Sequence, residues 1–124
     1  MGEEAVRGGE SLTDAELATV VRVVQALVDH DVDSLRPTGA YADGGDPYMW
    51  TRHWRLWDHV DLVMPPGDPR TWMRGVIRGG DNPWVAVDID MWTKQEGRSD
   101  LTLSIELNTE PDGVKVLFRS LRVM

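Results

Sequence analysis

Side chains able to do chemistry gather at four places in this sequence. In WTRHWRLW, residues 50–57, His53 sits among Trp50, Trp54 and Trp57. An imidazole desolvated by indole rings sheds its proton more readily and can serve as a general base. In DHVD, Asp58, His59 and Asp61 lie close enough to act as base and orienting partner, or to offer ligands to a divalent ion. In WVAVDIDMW, residues 84–92, the alternate positions Trp84, Asp88, Asp90 and Trp92 share one face of a strand. Two carboxylates flanked by rings can grip a cation, stack on a sugar, or divide acid and base roles. The fourth place is EGRSD, residues 96–100, with Arg98, Ser99 and Asp100.

Each place also has a plainer reading. Three tryptophans carry too much apolar area to stand in water, so the WTRHWRLW rings are expected to be scaffold first, with at most an edge lining a cavity. An Asp-His-Asp at a helix end is usually solvated. No third histidine, HExxH pattern or Asp-rich calcium loop accompanies it, so neither metal nor cofactor is expected. Ser99 has no base at activating spacing, and Arg98 is expected to pair with Asp100 inside a turn. The 84–92 face reads most plainly as an exposed sheet surface on which Glu106 answers Lys115 and Trp92 shields Arg119. It is nonetheless the best binding surface the sequence offers, made of Trp84, Asp88, Asp90, Trp92, Glu106 and Arg98.

Composition narrows the partners. Thirteen basic residues against twenty-one acidic ones give a net charge of −8. The basic residues are scattered, with only RHWR doubling them up, so the clustered cations that nucleic acids require are missing. An acidic surface would steer a basic protein partner, and a small molecule is the other candidate. No apolar run reaches the roughly 20 residues that span a bilayer, and no membrane role is expected. The segment MGEEAVRGGES lacks the basic-then-apolar order of a secretory signal and reads as a mobile tail, residues 1–11. With no cysteine in the chain, a reducing cytoplasm fits best.

The elements that must position these residues follow from periodicity. Thr13 and Glu16 have capping-box spacing, and Leu12 and Leu17 occupy the staple positions around it. Leu17, Val20, Val21, Val23, Val24, Leu27 and Val28 then fall on one helical face. Asp33 is expected to cap one short turn before Pro37. Asp46-Pro47 is expected to start a second helix over 47–58, where Met49, Trp50, His53, Trp54, Leu56 and Trp57 share an arc of about 160°. After that the period becomes two: strands are expected at 59–64, 71–78, 84–92, 101–107 and 114–118, with loops at KQEGRSD and NTEPDG. Joining the apolar faces suggests Met91 opposite Leu103 and Leu107 opposite Val114. The outer rows are then Asp88–Glu106–Lys115, Asp90–Ser104–Leu117 and Trp92–Thr102–Arg119. The expected class is α+β, one domain over 12–124, with two N-terminal helices on one face of a curved, cone-like antiparallel sheet of four to five strands.

PWVAVDIDMWTKQEGRSDLTL, residues 83–103, resembles a family of small bacterial proteins known as a domain of unknown function. The shared pattern is a tryptophan, an alternating strand and the turn W-T-x-x-E-G-R-S-D-L-T, here Trp84, Trp92, Thr93, Glu96, Gly97, Arg98, Ser99, Asp100, Leu101 and Thr102. This resemblance implies no activity. More loosely, a helix closing on ALVDHDVDSL before a curved sheet is similar to nuclear-transport-factor-2-like (SnoaL-like, cystatin-like) proteins. That group includes isomerases, cyclases, immunity proteins and dimerisation modules. The leading expectation is a non-catalytic binding or immunity-type protein acting through its acidic, Trp-containing face and the 94–100 hairpin. The alternative is a small-molecule enzyme with a cone-shaped cavity and His53 or Asp90 as base. Self-association as a homodimer through the sheet is a third reading.

Overall fold

The computed structural model describes residues 4–6, 12–31, 33–35, 39–41, 58, 60–78, 81 and 83–123. Its longest helix, α1 (Asp14–Val28), starts where the sequence places it. The Thr13 amide donates to Glu16 Oε1 (2.9 Å) and the Glu16 amide donates to Thr13 Oγ1 (3.1 Å), closing the capping box. Val20, Val23, Val24 and Leu27 are completely buried, with Leu17, Val21 and Val28 packed at the border of the same core. Valine forms helices poorly, so tertiary burial holds α1 together. A single 3₁₀ turn follows at 33–35. It is held by Asp31, not by the expected Asp33: the Ser34 amide donates to Asp31 Oδ1 and the Ser34 hydroxyl to the Asp31 carbonyl.

Among the described residues, seven strands form one sheet. They are β1 (Glu4–Val6), β2 (Gly39–Tyr41), β3 (Leu62–Val63), β4 (Met73–Arg78), β5 (Trp84–Thr93), β6 (Gly97–Glu110) and β7 (Gly113–Val123). The order is β1-β4-β5-β6-β7-β2, with β3 pairing β5 beyond the end of β4. All pairings are antiparallel except that β2 runs parallel to β7. β1 lies within the stretch expected to be a tail. The class is α+β as expected, with α1 as the helix packed on the sheet. The expected second helix, and with it His53 and His59, lies outside the described residues.

Alternation in β5 sorts the faces as the sequence suggests. Val85, Val87, Ile89 and Met91 point inward with Leu103, Ile105, Leu107, Val116, Phe118 and Leu121, all at most 3% exposed, and α1 covers them. Burying each such side chain contributes roughly 1.5–3 kcal/mol. Among the described residues, one ion pair ties the helix to the sheet. Glu16, 2% exposed, accepts from Arg78 Nη2 at 2.7 Å with the same oxygen that takes the Thr13 amide.

The register differs from expectation by about two residues. Asp88 faces Ser104 and Asp90 faces Thr102, while Glu106 faces Ala86 and Leu117. Leu107 faces Val116, not Val114. The reason is tighter turns than KQEGRSD and NTEPDG imply. β5 and β6 pair up to Thr93–Gly97, with Gly97 at φ +72°, and β6 and β7 pair up to Glu110–Gly113, with Gly113 at φ +143°. Glycine holds those backbone conformations without a Cβ clash. Bulges between Asp90 and Trp92 and between Ser104 and Ile105 absorb the mismatch. The 94–96 turn is tethered to the entry of β3. The Lys94 amide donates to the Asp61 carbonyl (2.8 Å), the Asp61 amide to Gln95 Oε1 (3.2 Å), and Gln95 Nε2 to Asp61 Oδ2 (3.1 Å).

Because the capping box also seats the buried Glu16, Thr13→Ala is expected to lower unfolding free energy by about 1 kcal/mol, read as a reduced urea midpoint at unchanged slope.

Candidate functional site

Among the described residues, the outer face of β5 carries the one buried carboxylate that points away from the helix. Asp90 is 2% exposed. Its Oδ1 accepts from Arg74 Nε on β4 at 3.0 Å, and its Oδ2 accepts from Arg98 Nε (3.0 Å) and Nη2 (2.7 Å) on β6. Three adjacent strands thus each supply one member of a charge triad. The asymmetry is in exposure: the side chains of Arg74 and Arg98 are 44% and 65% exposed. A buried carboxylate without cations would cost several kcal/mol, so the arginines satisfy a demand made by Asp90.

Beside the triad lies a recess of about 240 Å³ lined by Pro66, Thr71, Trp72, Asp90, Trp92 and Arg98. A 3₁₀ turn, Pro69–Trp72, delivers Trp72 to it, capped by the Asp68 side chain accepting from the Arg70 amide. Trp72 is 6% exposed, and its indole Nε1 has no hydrogen-bond partner among the described residues. Such a buried, unpaired donor normally costs about 1–3 kcal/mol and is rare in native structures. Thr102 Oγ1, opposite Asp90, is likewise buried and unpaired but does not line the recess. Trp92 is half-buried, sits directly across from Arg98, and has its ring within 3.5 Å of where a Cβ on Gly97 would lie. That spacing lets the ring lie along the turn.

The expected surface therefore divides. Asp90, Trp92 and Arg98 converge. Asp88 is next along the same face, accepting from the Ser104 hydroxyl at 2.7 Å. Trp84 pairs with Asn108 at the far end of β5, eight residues or roughly 26 Å from Trp92, so the two rings cannot frame one ligand. Glu106 also sits toward that end and binds Arg119 Nη1 at 2.7 Å, replacing the expected Glu106–Lys115 pair and freeing Trp92 from Arg119. Lys115 turns instead to Glu110, whose hydrogen bond raises the ammonium above its ordinary pKa. Arg98 reaches Asp90 across the strands, not Asp100 within a loop.

The face is consequently not an unpaired acidic row. Asp90 is matched by Arg74 and Arg98 and Glu106 by Arg119, while Asp88 accepts from the Ser104 hydroxyl. With both oxygens of Asp90 already accepting from guanidinium groups, its carboxylate is placed to anchor arginines, not to abstract a proton. Ser99 is buried, its hydroxyl donating to the Met91 carbonyl (2.8 Å) and accepting from the Leu101 amide (3.1 Å), which makes it a clasp of the bulge. Asp58 is exposed, whereas its expected partner His59 and the base candidate His53 lie outside the described residues.

Two members of the site, Trp72 and Arg74, were not among the sequence candidates. Strict alternation through TWMRGVIR groups Arg74 with the inward Val76. The irregularity between Met73 and Gly75 turns Arg74 to the outer face instead.

Among the described residues no helix is long and apolar enough to cross a membrane, and no three His, Asp or Glu side chains gather as a metal site. The family model of a domain of unknown function, DUF7668, matches residues 24–124. No curated protein and no solved structure matches the chain.

If the two arginines jointly neutralise one carboxylate, Arg74→Met and Arg98→Met should each cost about 1 kcal/mol, since the remaining cation still answers Asp90. The double variant should lose about 3–5 kcal/mol, more than the sum, because it strands a buried charge. Additive urea-midpoint shifts would show two independent surface pairs.

Proposed function

The chain belongs to the DUF7668 family of domains of unknown function, and from that premise we propose that it is a non-catalytic binding or immunity-type protein that meets its ligand at the Asp90 end of the outer sheet face. The observation that carries this reading is the recess itself. A half-buried tryptophan, a fixed and exposed guanidinium, and an indole donor with no acceptor stand around one cavity. Such a combination of a flat apolar wall and a few oriented polar groups is what ligand sites use. Aromatic and arginine side chains are also those that dominate interface energetics.

Binding is favoured over turnover because the one buried carboxylate in the recess is already committed to two arginines. The ion-paired face also shifts the expected partner. The carboxylate at the recess is already answered by two arginines, so a basic protein gains less there than a group carrying hydrogen-bond acceptors. A cytoplasmic setting belongs to the same reading, in keeping with the absence of cysteine.

The test is to immobilise the wild-type chain and a Trp92→Ala variant, expose both to one cell extract, and quantify what each retains. Circular dichroism should confirm that the variant is folded. A bound species is expected to fall by about tenfold or more in the variant. Equal retention by both proteins would remove this end of the sheet from consideration. Arg98→Gln serves as a second variant, since its side chain is mostly exposed and its loss leaves Arg74 on Asp90.

A further inference from the structure

We propose that the recess beside Asp90 binds a carboxylate carried on a small flat or apolar group, an inference that rests on the binding reading above. Three features define the chemistry. First, Arg98 uses its Nε–Nη2 edge on Asp90, which fixes the guanidinium plane and leaves the Nη1 end of the fork without an acceptor among the described residues. A guanidinium oriented this way presents parallel N–H groups that match a carboxylate, which it binds with charge-assisted hydrogen bonds. Second, the Trp72 indole N–H is a buried donor lacking a partner on the wall of the same cavity. A ligand oxygen would satisfy it. Third, the half-buried Trp92 ring supplies a flat surface against which the ligand's apolar part can lie.

Charge and size agree with this. Arg74 and Arg98 oppose the single carboxylate of Asp90, so the triad carries one net positive charge, and Asp88 next along the face is directed to Ser104. At about 240 Å³ the recess is smaller than the roughly 300–1,000 Å³ typical of sites for drug-sized ligands. The occupant is therefore fragment-sized: a free aromatic or aliphatic acid, or the carboxylate end of a peptide inserted from outside.

The experiment titrates the full chain with benzoate and with benzamide, its neutral isostere, followed by calorimetry and by the indole N–H signals in nitrogen–proton NMR spectra. Benzoate is expected to bind at least about tenfold more tightly than benzamide, and Arg98→Gln to lose about tenfold or more of the benzoate affinity. The indole signal missing from a Trp72→Phe variant should be the one that shifts. Should Trp72→Phe fail to fold, the Arg98→Gln comparison carries the decision. Equal binding of benzoate and benzamide, or benzoate affinity untouched in Arg98→Gln, overturns the carboxylate assignment. That failure is separable from failure of the wider reading, which is decided by Trp92→Ala capture. A second arm uses acetyl-Gly-Gly-Phe with a free C-terminus. Tighter binding of the peptide identifies a chain end as the source, tighter binding of benzoate a free acid, and either supports the carboxylate chemistry.

Discussion

A carboxylate buried on the outer face of a sheet is a demand that neighbouring strands must meet. Asp90 lies on β5, the strand flanked by both β4 and β6, and each neighbour sends one arginine to it. The pairing fixes more than charge. It holds three strands in one register at the point where both β4 and the β5–β6 pair carry irregularities, so the bulges bend the sheet around a fixed electrostatic centre. The recess exists because that centre, the 3₁₀ turn bearing Trp72 and the Trp92 ring meet without filling the space between them.

The opposite face follows a simpler rule. Aliphatic side chains from β5, β6 and β7 make a continuous layer, and α1 covers it with valines and Leu27. Glu16 joins the two regimes, capping the helix at one oxygen while receiving Arg78 from β4 at the same atom. Strand β4 is thus the seam of the molecule. Arg74 serves the outer ion triad and Arg78 the inner ion pair with Glu16, four residues apart, because the irregularity near Gly75 changes the side on which the intervening residues project.

What the sequence made legible was whatever depends on local periodicity. The Thr13–Glu16 box, the apolar stripe of α1 and the inward set Val85, Val87, Ile89 and Met91 are local patterns, and they stand as read. Register is a non-local quantity decided by turn length and bulges, and here it lies two positions from where the apolar faces alone put it. The turn motif places Gly97 in mid-loop, whereas a positive φ at that residue lets the strands pair almost to the tip. That difference moves Glu106 away from Lys115 and brings Arg98 across the strands to Asp90. Asp90, Trp92 and Arg98 were nonetheless identified, since an aspartate and tryptophans on one strand face are visible without knowing their partners. Trp72 and Arg74 were not, because their contribution depends on a turn and an irregularity that alternation cannot encode.

The turn at 94–96 has a consequence for anything that approaches the recess. Its backbone and the Gln95 side chain are bonded to Asp61, a residue some thirty positions earlier, so the hairpin tip and the entry to β3 form one clamped rim. The conformational freedom of that rim has already been surrendered during folding. A partner docking at this edge would meet a rim that carries little ordering cost, leaving selectivity to shape and charge instead of adaptability.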